Sequence, residues 1–310
     1  MKDTKRTAAD HLDSLDRLLG PGQGYDVLEK KQLANCIYML SVAAPAIARK
    51  ARAGQFIVLR VDEYGERIPL TLADWDEKKG NIILVYMEVG GSTTMLSTIR
   101  AGDSILDLVG PLGTPSHIEN FGKVVCVAGG VGVAPIVPIA KALKQAGNTV
   151  ISVIGARSHN LLFWEDKIAS CSHRLIVTTD DGSYARKGVV TEPLKEILGK
   201  EKVALVVAIG PAIMMKFCAE ATRSFGVKTL VSLNPIMVDG TGMCGCCRVA
   251  VGGKTKFSCV DGPEFDAHEV DWGLLLSRQR GYVDIERHAL KDCKWRAFEK
   301  QLLAAKEIKS

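Results

Sequence analysis

Between positions 239 and 259 the chain reads Asp239-Gly240-Thr241-Gly242-Met243-Cys244-Gly245-Cys246-Cys247, with Cys259 twelve positions further on. Cysteine thiolates are the protein ligands of iron-sulfur clusters, and glycines between them let the backbone turn its amides toward the cluster's sulfides while the thiolates converge. The spacing of four, two and then a longer gap is that of plant-type ferredoxins if Asp239 takes the place of the first cysteine. A carboxylate can ligate iron and is a harder donor than a thiolate, so it would alter the potential of such a centre. The expected ligand set is therefore Asp239, Cys244, Cys247 and Cys259 around a [2Fe-2S] cluster. Adjacent side chains on an extended chain face opposite ways, so Cys246 and Cys247 are not expected to ligate together, and the spacing selects Cys247. A zinc ion closed by the same three thiolates and carboxylate is the competing reading, and unligated reactive thiols are a third.

Two further stretches have residue types suited to phosphates. Gly129-Gly130-Val131-Gly132-Val133-Ala134-Pro135 follows an apolar strand and opens a helix, a position where backbone amides and the helix dipole favour a nucleotide phosphate. Its plain alternative is a tight turn, because proline stands where the dinucleotide fingerprint has its third glycine. No acidic residue ends the next strand, where Gly155-Ala156-Arg157-Ser158 stands, so the residues leave NAD and NADP both open. Upstream lie Arg67-Ile68-Pro69-Leu70-Thr71 and Gly90-Gly91-Ser92-Thr93-Thr94. An arginine fork suits a pyrophosphate, and a threonine four residues on along one strand shares its face and can reach a flavin ring edge. Thr71 is thus the candidate catalytic residue. The second stretch offers amides and hydroxyls for the remaining phosphate oxygens. The bland readings are a surface charge at Arg67 and a hairpin turn at Gly90-Gly91.

The elements that must position these residues fall into two rhythms. From Tyr25 to about Gly113, apolar runs such as residues 37–42, 55–61 and 81–86 alternate with Gly, Asp and Pro turns, which predicts a small antiparallel barrel. From Lys123 the pattern becomes strand then helix, with buried-strand runs at 124–128, 150–155, 175–179 and 204–209 and a helix over 136–146, the signature of a doubly wound parallel sheet. The predicted organisation is an extension over 1–24, a barrel domain over 25–118, an α/β domain over 119–234, the cysteine-bearing segment over 235–266 and a helical tail over 267–310, with the barrel's role as an FAD domain following from the resemblance given below. A short helix is expected over 10–19, and the tail repeats Trp272, Leu275 and Leu276, then Tyr282, Ile285 and Ala289, then Trp295, Phe298 and Leu302 at helical intervals.

Composition narrows the function class. With 310 residues, 47% hydrophobic and 24% charged, the chain has the balance of a folded globular protein. Its net charge of +5 comes from 40 basic and 35 acidic residues scattered along the chain, without the basic, aromatic-laced patch of a nucleic-acid binder. No apolar run reaches the length of a membrane span and the start lacks the pattern of a leader, so a cytoplasmic location is expected. Of the 9 cysteines, four fall between 244 and 259 while Cys36, Cys126, Cys171, Cys218 and Cys293 stand alone, a pattern of a metal centre in a reducing compartment rather than of disulfides. Cys36, Cys126 and Cys171 are expected to be inert core residues, Cys218 a helix residue, and His117, His159 and His268 surface or packing groups.

Taken in order, Arg67-x-Pro69-Leu70-Thr71, Gly90-x-x-Thr93, Gly110-Pro111-Leu112-Gly113, Gly130-x-Gly132-x-x-Pro135 and Gly210-Pro211 resemble the ferredoxin-NADP⁺ reductase superfamily. The resemblance implies FAD bound by Arg67, Pro69, Leu70, Thr71, Gly90, Ser92 and Thr93, and NAD(P) received by Gly130, Gly132 and Pro135. Two branches of that superfamily append a [2Fe-2S] loop: the electron-transfer subunit of dihydroorotate dehydrogenase, normally with four Cys ligands, and the small subunit of NADH-dependent reduced ferredoxin:NADP⁺ oxidoreductases. Residues 235–245 together with Cys259-Val260-Asp261-Gly262-Pro263-Glu264-Phe265-Asp266-Ala267-His268 look like the second, with Cys246 where a small non-ligand residue usually stands. That branch implies hydride exchange between NAD(H) and FAD, and single electrons relayed through the cluster. The receiver would be a larger subunit with a second FAD, [4Fe-4S] clusters, NADP(H) and a ferredoxin contact, resembling the glutamate synthase small subunit. The implied whole is an electron-bifurcating heterodimer.

Overall fold

The computed structural model describes residues 24–281 and Glu286; the expected helix over 10–19, the repeats from Tyr282 onward and Cys293 lie outside the described residues. Seven strands make the first sheet: β1 (Tyr25–Ala34), β2 (Ile37–Ala43), β3 (Phe56–Arg60), β4 (Arg67–Asp76), β5 (Asn81–Met87), β6 (Ser104–Ile105) and β7 (Asp107–Leu112). They run antiparallel in the order β6-β1-β2-β5-β4-β3-β7 and curl around a core of Leu40, Val42, Leu59, Leu72, Ile82 and Leu84. Two short helices, α1 (Pro45–Ala48) and α2 (Gly91–Leu96), interrupt the strands. The barrel rhythm of the sequence is borne out. Cys36 is a correction: it is exposed, with φ of 56°, in the turn between β1 and β2, where the chain reverses and apolar neighbours cannot carry it inward.

The second sheet holds β8 (Lys123–Gly129), β9 (Thr149–Ala156), β10 (Arg174–Thr179), β11 (Arg186–Lys187), β12 (Leu205–Ile209) and β13 (Lys228–Ser232), with the helices α3 (Val133–Gln145), α4 (Glu165–Ser170), α5 (Thr191–Lys200) and α6 (Ala212–Arg223) between them. A two-stranded ribbon, β14 (Arg248–Val251) and β15 (Lys254–Phe257), precedes β16 (Glu264–Asp266) and α7 (Trp272–Arg280). The order β11-β10-β9-β8-β12-β13-β16 is parallel except for the last pair. The strands that follow β8 go to one side of it and those from β12 to the other, so the strand order reverses between β8 and β12. In open α/β sheets that switch point is where the crevice for a ligand forms.

The two sheets share an apolar seam. Ile37, Ala73 and Val85 of the barrel pack into one buried cluster with Val133, Ala134 and Val137 of α3, and Lys167 Nζ on α4 reaches Asp74 Oδ2 on β4 at 2.7 Å. At the switch point, α3 starts so close to the end of β12 that a Cβ on Gly132 would lie 2.2 Å from Ile209 O, whereas a Cβ on Gly199 in α5 would meet nothing within 4 Å. Gly132→Ala is therefore expected to lose about 1–3 kcal/mol through overpacking. Gly199→Ala should gain up to about 1 kcal/mol from reduced chain entropy. Urea denaturation midpoints of the two variants check the difference in sign.

Candidate functional site

The cysteine-bearing segment lies against the outside of the barrel. In β3, Ile57 and Leu59 point into the barrel core, and the alternate residues Phe56 and Val58 form a separate buried cluster with Met237, Cys247 and Cys259, flanked by Leu112 and Phe257. The fit is close: a Cβ on Gly240, which has φ of 78°, would sit 2.6 Å from Leu112 Cδ1 and 3.3 Å from Val58 Cγ2. Backbone bonds pin the other flank, with Thr114 N donating to Gly262 O at 2.6 Å and Thr114 Oγ1 to Val260 O at 3.1 Å. These contacts tie the segment to β3, β7 and the connection that follows β7.

Of the four expected ligands, Cys247 and Cys259 come together, both 2% exposed, with their sulfurs 3.2 Å apart. Burial raises the Cys259 thiol to about 12, and hydrogen bonding to Cys247 adds to the rise. Cys244 is exposed. Asp239 accepts from Thr241 N at 2.6 Å through Oδ1 and from Cys244 N at 3.1 Å through Oδ2, and the Thr241 amide first of all holds its carboxyl below the usual range. Cys246 is half-buried while its neighbour Cys247 is buried, so the two residues do differ in environment. Among the described residues, no three or more His, Cys, Asp or Glu side chains converge in metal-ligating geometry. The donor set nonetheless suits a two-iron cluster: three thiols and an ionised carboxylate occur in one glycine-turned segment, beside a buried Ser258 hydroxyl with no hydrogen-bond partner. Leaving such a hydroxyl unpaired costs about 1–3 kcal/mol, which an incoming acceptor would relieve.

The expected flavin residues sit on the neighbouring strand. Arg67 and Thr71 both lie on β4, in register with Arg60 and Phe56 of β3. Arg67 is exposed and only loosely held, its Nη2 3.9 Å from Asp107 Oδ2, because Arg60 takes that carboxylate at 2.6 Å. Pro69 and Leu70 are half-buried. Gly90-Gly91 starts α2 instead of a hairpin. Ser92 Oγ donates to Glu66 Oε2 at 3.1 Å, which brings the second stretch to the residue just before Arg67. Thr93 Oγ1 accepts from the Val89 and Gly90 amides, both at 3.0 Å, and so shapes the loop.

At the mouth of the second sheet, Gly130 has φ of 54° and a Cβ there would meet nothing within 4 Å, which leaves its backbone open to a ligand. Gly132 is accounted for by packing, and Pro135 lies in the first turn of α3. Because Ala73 is buried against α3, Thr71 is two residues from the surface that holds the helix behind Gly130. Of the other residues singled out, Cys126, Cys171 and Cys218 are buried, His159 stacks on Tyr184 with centroids 4.5 Å apart, and His268 Nε2 bonds Thr222 Oγ1 at 2.9 Å.

Sequence reading missed three groups. Phe56 and Val58 cover the thiols, and their signal was the unbroken apolar run of β3, which marks a strand buried on both faces. The third is Glu264, half-buried, whose Oε1 accepts from Ser116 Oγ at 2.5 Å where β16 meets the connection between the sheets. Loss of solvent raises its pKa, against the pull of the Ser116 hydrogen bond. A lone Glu beside a Gly-Pro turn carries no such signal.

Comparison with known proteins agrees with this arrangement. Residues 234–271 match the family described as the iron-sulfur cluster binding domain of dihydroorotate dehydrogenase B. A Thermotoga maritima homologue of the dihydroorotate dehydrogenase B (NAD(+)) electron transfer subunit is 50% identical over 262 residues, spanning 84% of this chain and 93% of its own. The electron transfer subunit of that enzyme from Geobacillus thermodenitrificans is 33% identical over 253 residues, 79% of this chain and 96% of its own. A chain in the structure of NADH-dependent reduced ferredoxin-NADP oxidoreductase, a flavin-based electron bifurcation system, superposes with a TM-score of 0.82 at 46% identity, over 91% of this chain and 99% of its own.

A raised folded-state pKa at Glu264 has a sign that can be measured. The protonated carboxyl supports the fold fully below the ordinary value of 4.5, and that support is lost as the pH rises through the higher folded value. Glu264→Gln should therefore be the more stable protein at pH 8 and lose its advantage toward pH 4, as followed by urea denaturation across that range.

Proposed function

Since the chain belongs to the family of dihydroorotate dehydrogenase B electron transfer subunits and their homologues, we propose that it carries electrons between NAD(H), FAD and a [2Fe-2S] cluster inside a larger ferredoxin:NADP⁺ oxidoreductase. The observation that carries this reading is the placement of the buried Cys247 and Cys259 pair on the outer face of β3, one strand from the Arg67 to Thr71 stretch. Hydride chemistry moves two electrons and an iron-sulfur cluster one, and a bound flavin supplies the conversion between them.

The residues of this chain divide the work by position. Arg67, exposed at the start of β4, offers its guanidinium to the pyrophosphate, with Gly90, Ser92 and Thr93 shaping the loop around it. Pro69, Leu70 and Thr71 lie on the strand that would support the flavin ring, to which the Thr71 hydroxyl would supply a hydrogen bond. Gly130 would receive the nicotinamide nucleotide where the sheet opens, with Gly132 and Pro135 setting the start of the helix behind it, the same helix that β4 packs on. Asp239, Cys244, Cys247 and Cys259 hold the cluster, and the exposed Met243 beside Cys244 places its outer rim at the surface, where a larger flavin and iron-sulfur subunit can approach. Among the described residues no helix is long and apolar enough to cross a membrane. The boundaries at 25, 119, 235 and 267 serve as the working division of the chain.

A second reading, with dihydroorotate dehydrogenase as partner, is favoured by the names of several relatives. Asp239, standing where that branch normally has a cysteine, weighs against it. Partner capture separates the two: reduction of the isolated complex by NADPH supports the first reading and reduction by dihydroorotate the second.

The test begins with anaerobic purification. The chain should hold two irons, two acid-labile sulfides and one FAD; zinc in a colourless protein would reject the reading. Cys259→Ser should lose nearly all iron yet keep flavin. Arg67→Ala should weaken flavin retention at least tenfold with iron unchanged, measured by release on gel filtration and by metal analysis.

A further inference from the structure

Three buried side-chain polar atoms lack a hydrogen-bond partner among the described residues: Asn81 Oδ1 and Tyr86 OH, both on β5 in the barrel, and Ser258 Oγ. Ser258 is 0% exposed and immediately precedes Cys259, and its amide donates to Cys247 O at 3.1 Å. Its backbone therefore joins the two buried thiols, whose sulfurs lie 3.2 Å apart. Of the side chains packed around that pair, Phe56 and Val58 have no acceptor and Met237 only a weak thioether one, and neither thiol sulfur bonds the Ser258 hydroxyl. Buried hydroxyls are rarely left unpaired, and a serine hydroxyl turns freely to suit an incoming acceptor.

A cluster held by Cys247 and Cys259 would bring new, strong acceptors to this spot in its bridging sulfides. We propose that Ser258 Oγ donates a hydrogen bond to a sulfur of the [2Fe-2S] cluster and stabilises its reduced state, an inference that rests on the electron-carrier reading above. Adding one electron raises the negative charge on the sulfurs, so a donor to sulfur strengthens on reduction and lifts the potential. Ser258 is thus a tuning residue: it sets how readily the cluster takes an electron from the flavin side without itself exchanging one.

The experiment uses the full chain, purified anaerobically with its cofactors, as wild type, Ser258→Ala and Ser258→Thr. Iron and sulfide are measured first, then the cluster is titrated against a series of fixed solution potentials and followed by its paramagnetic signal. At a potential where the wild type is half reduced, Ser258→Ala should show a reduced-to-oxidised ratio about tenfold lower, which for one electron corresponds to about 59 mV. Ser258→Thr, which keeps the hydroxyl, should stay within about threefold of the wild type. Coincident titrations of wild type and Ser258→Ala overturn the proposal, as does a Thr variant displaced as far as the Ala variant. If only the Ala variant fails to assemble a cluster, the hydroxyl is needed to hold it, in support; if both variants fail, the site requires serine's shape and the proposal falls. A wild type without iron would instead sink the electron-carrier reading itself.

Discussion

One antiparallel pair, Phe56 opposite Thr71, carries the geometry of this protein. Directly opposed residues on neighbouring strands stand about 5 Å apart, and this register is set by an unbroken run from Arg60↔Arg67 to Phe56↔Thr71. On the β4 side the pair bears the stretch assigned to the flavin, and on the β3 side the apolar wall against which Cys247 and Cys259 are buried. A slip of one residue would turn Phe56 and Val58 into the barrel and send Ile57 and Leu59 out. The Arg67 to Thr71 stretch and the buried thiol pair would lose their common strand pair at the same stroke.

The same strand organises the second sheet. β4 enters the seam with Ala73 and meets α3, and α3 begins where β8 ends because Gly132 lets it approach the end of β12. The opening at Gly130 is therefore located by packing on two sides, not by the glycine motif alone. The Lys167 to Asp74 contact, about a third exposed at both ends, adds a polar tie to this apolar seam and little stability of its own.

Charge is handled differently at each station. The amides of its own loop favour the ionised form of Asp239, while burial disfavours the Cys259 thiolate, so a metal bound there would have to displace the proton. Arg67 stays exposed and nearly unclaimed since Arg60 satisfies Asp107. Glu264 is the opposite case, a carboxyl drawn out of water at the junction of the sheets with a single hydroxyl for support.

The linear order of residues was enough for the barrel and the doubly wound sheet, because each leaves a local trace, a period of two and an alternation of strand and helix, and the spacing of the thiols marked the segment that the iron-sulfur family match covers. It was also enough to single out Arg67, Thr71 and Gly130 as candidates, since the argument for each rests on what its own side-chain or backbone atoms can do. Tertiary structure alone decided that Phe56 and Val58 wall the thiols, that Thr93 spends its hydroxyl on the Val89 and Gly90 amides, that Cys36 lies outside, and that Ser258 is buried and Glu264 half-buried among few partners. These depend on which surfaces close over which side chains. Burial is a property of the neighbours that distant segments bring, and no spacing within one segment encodes it.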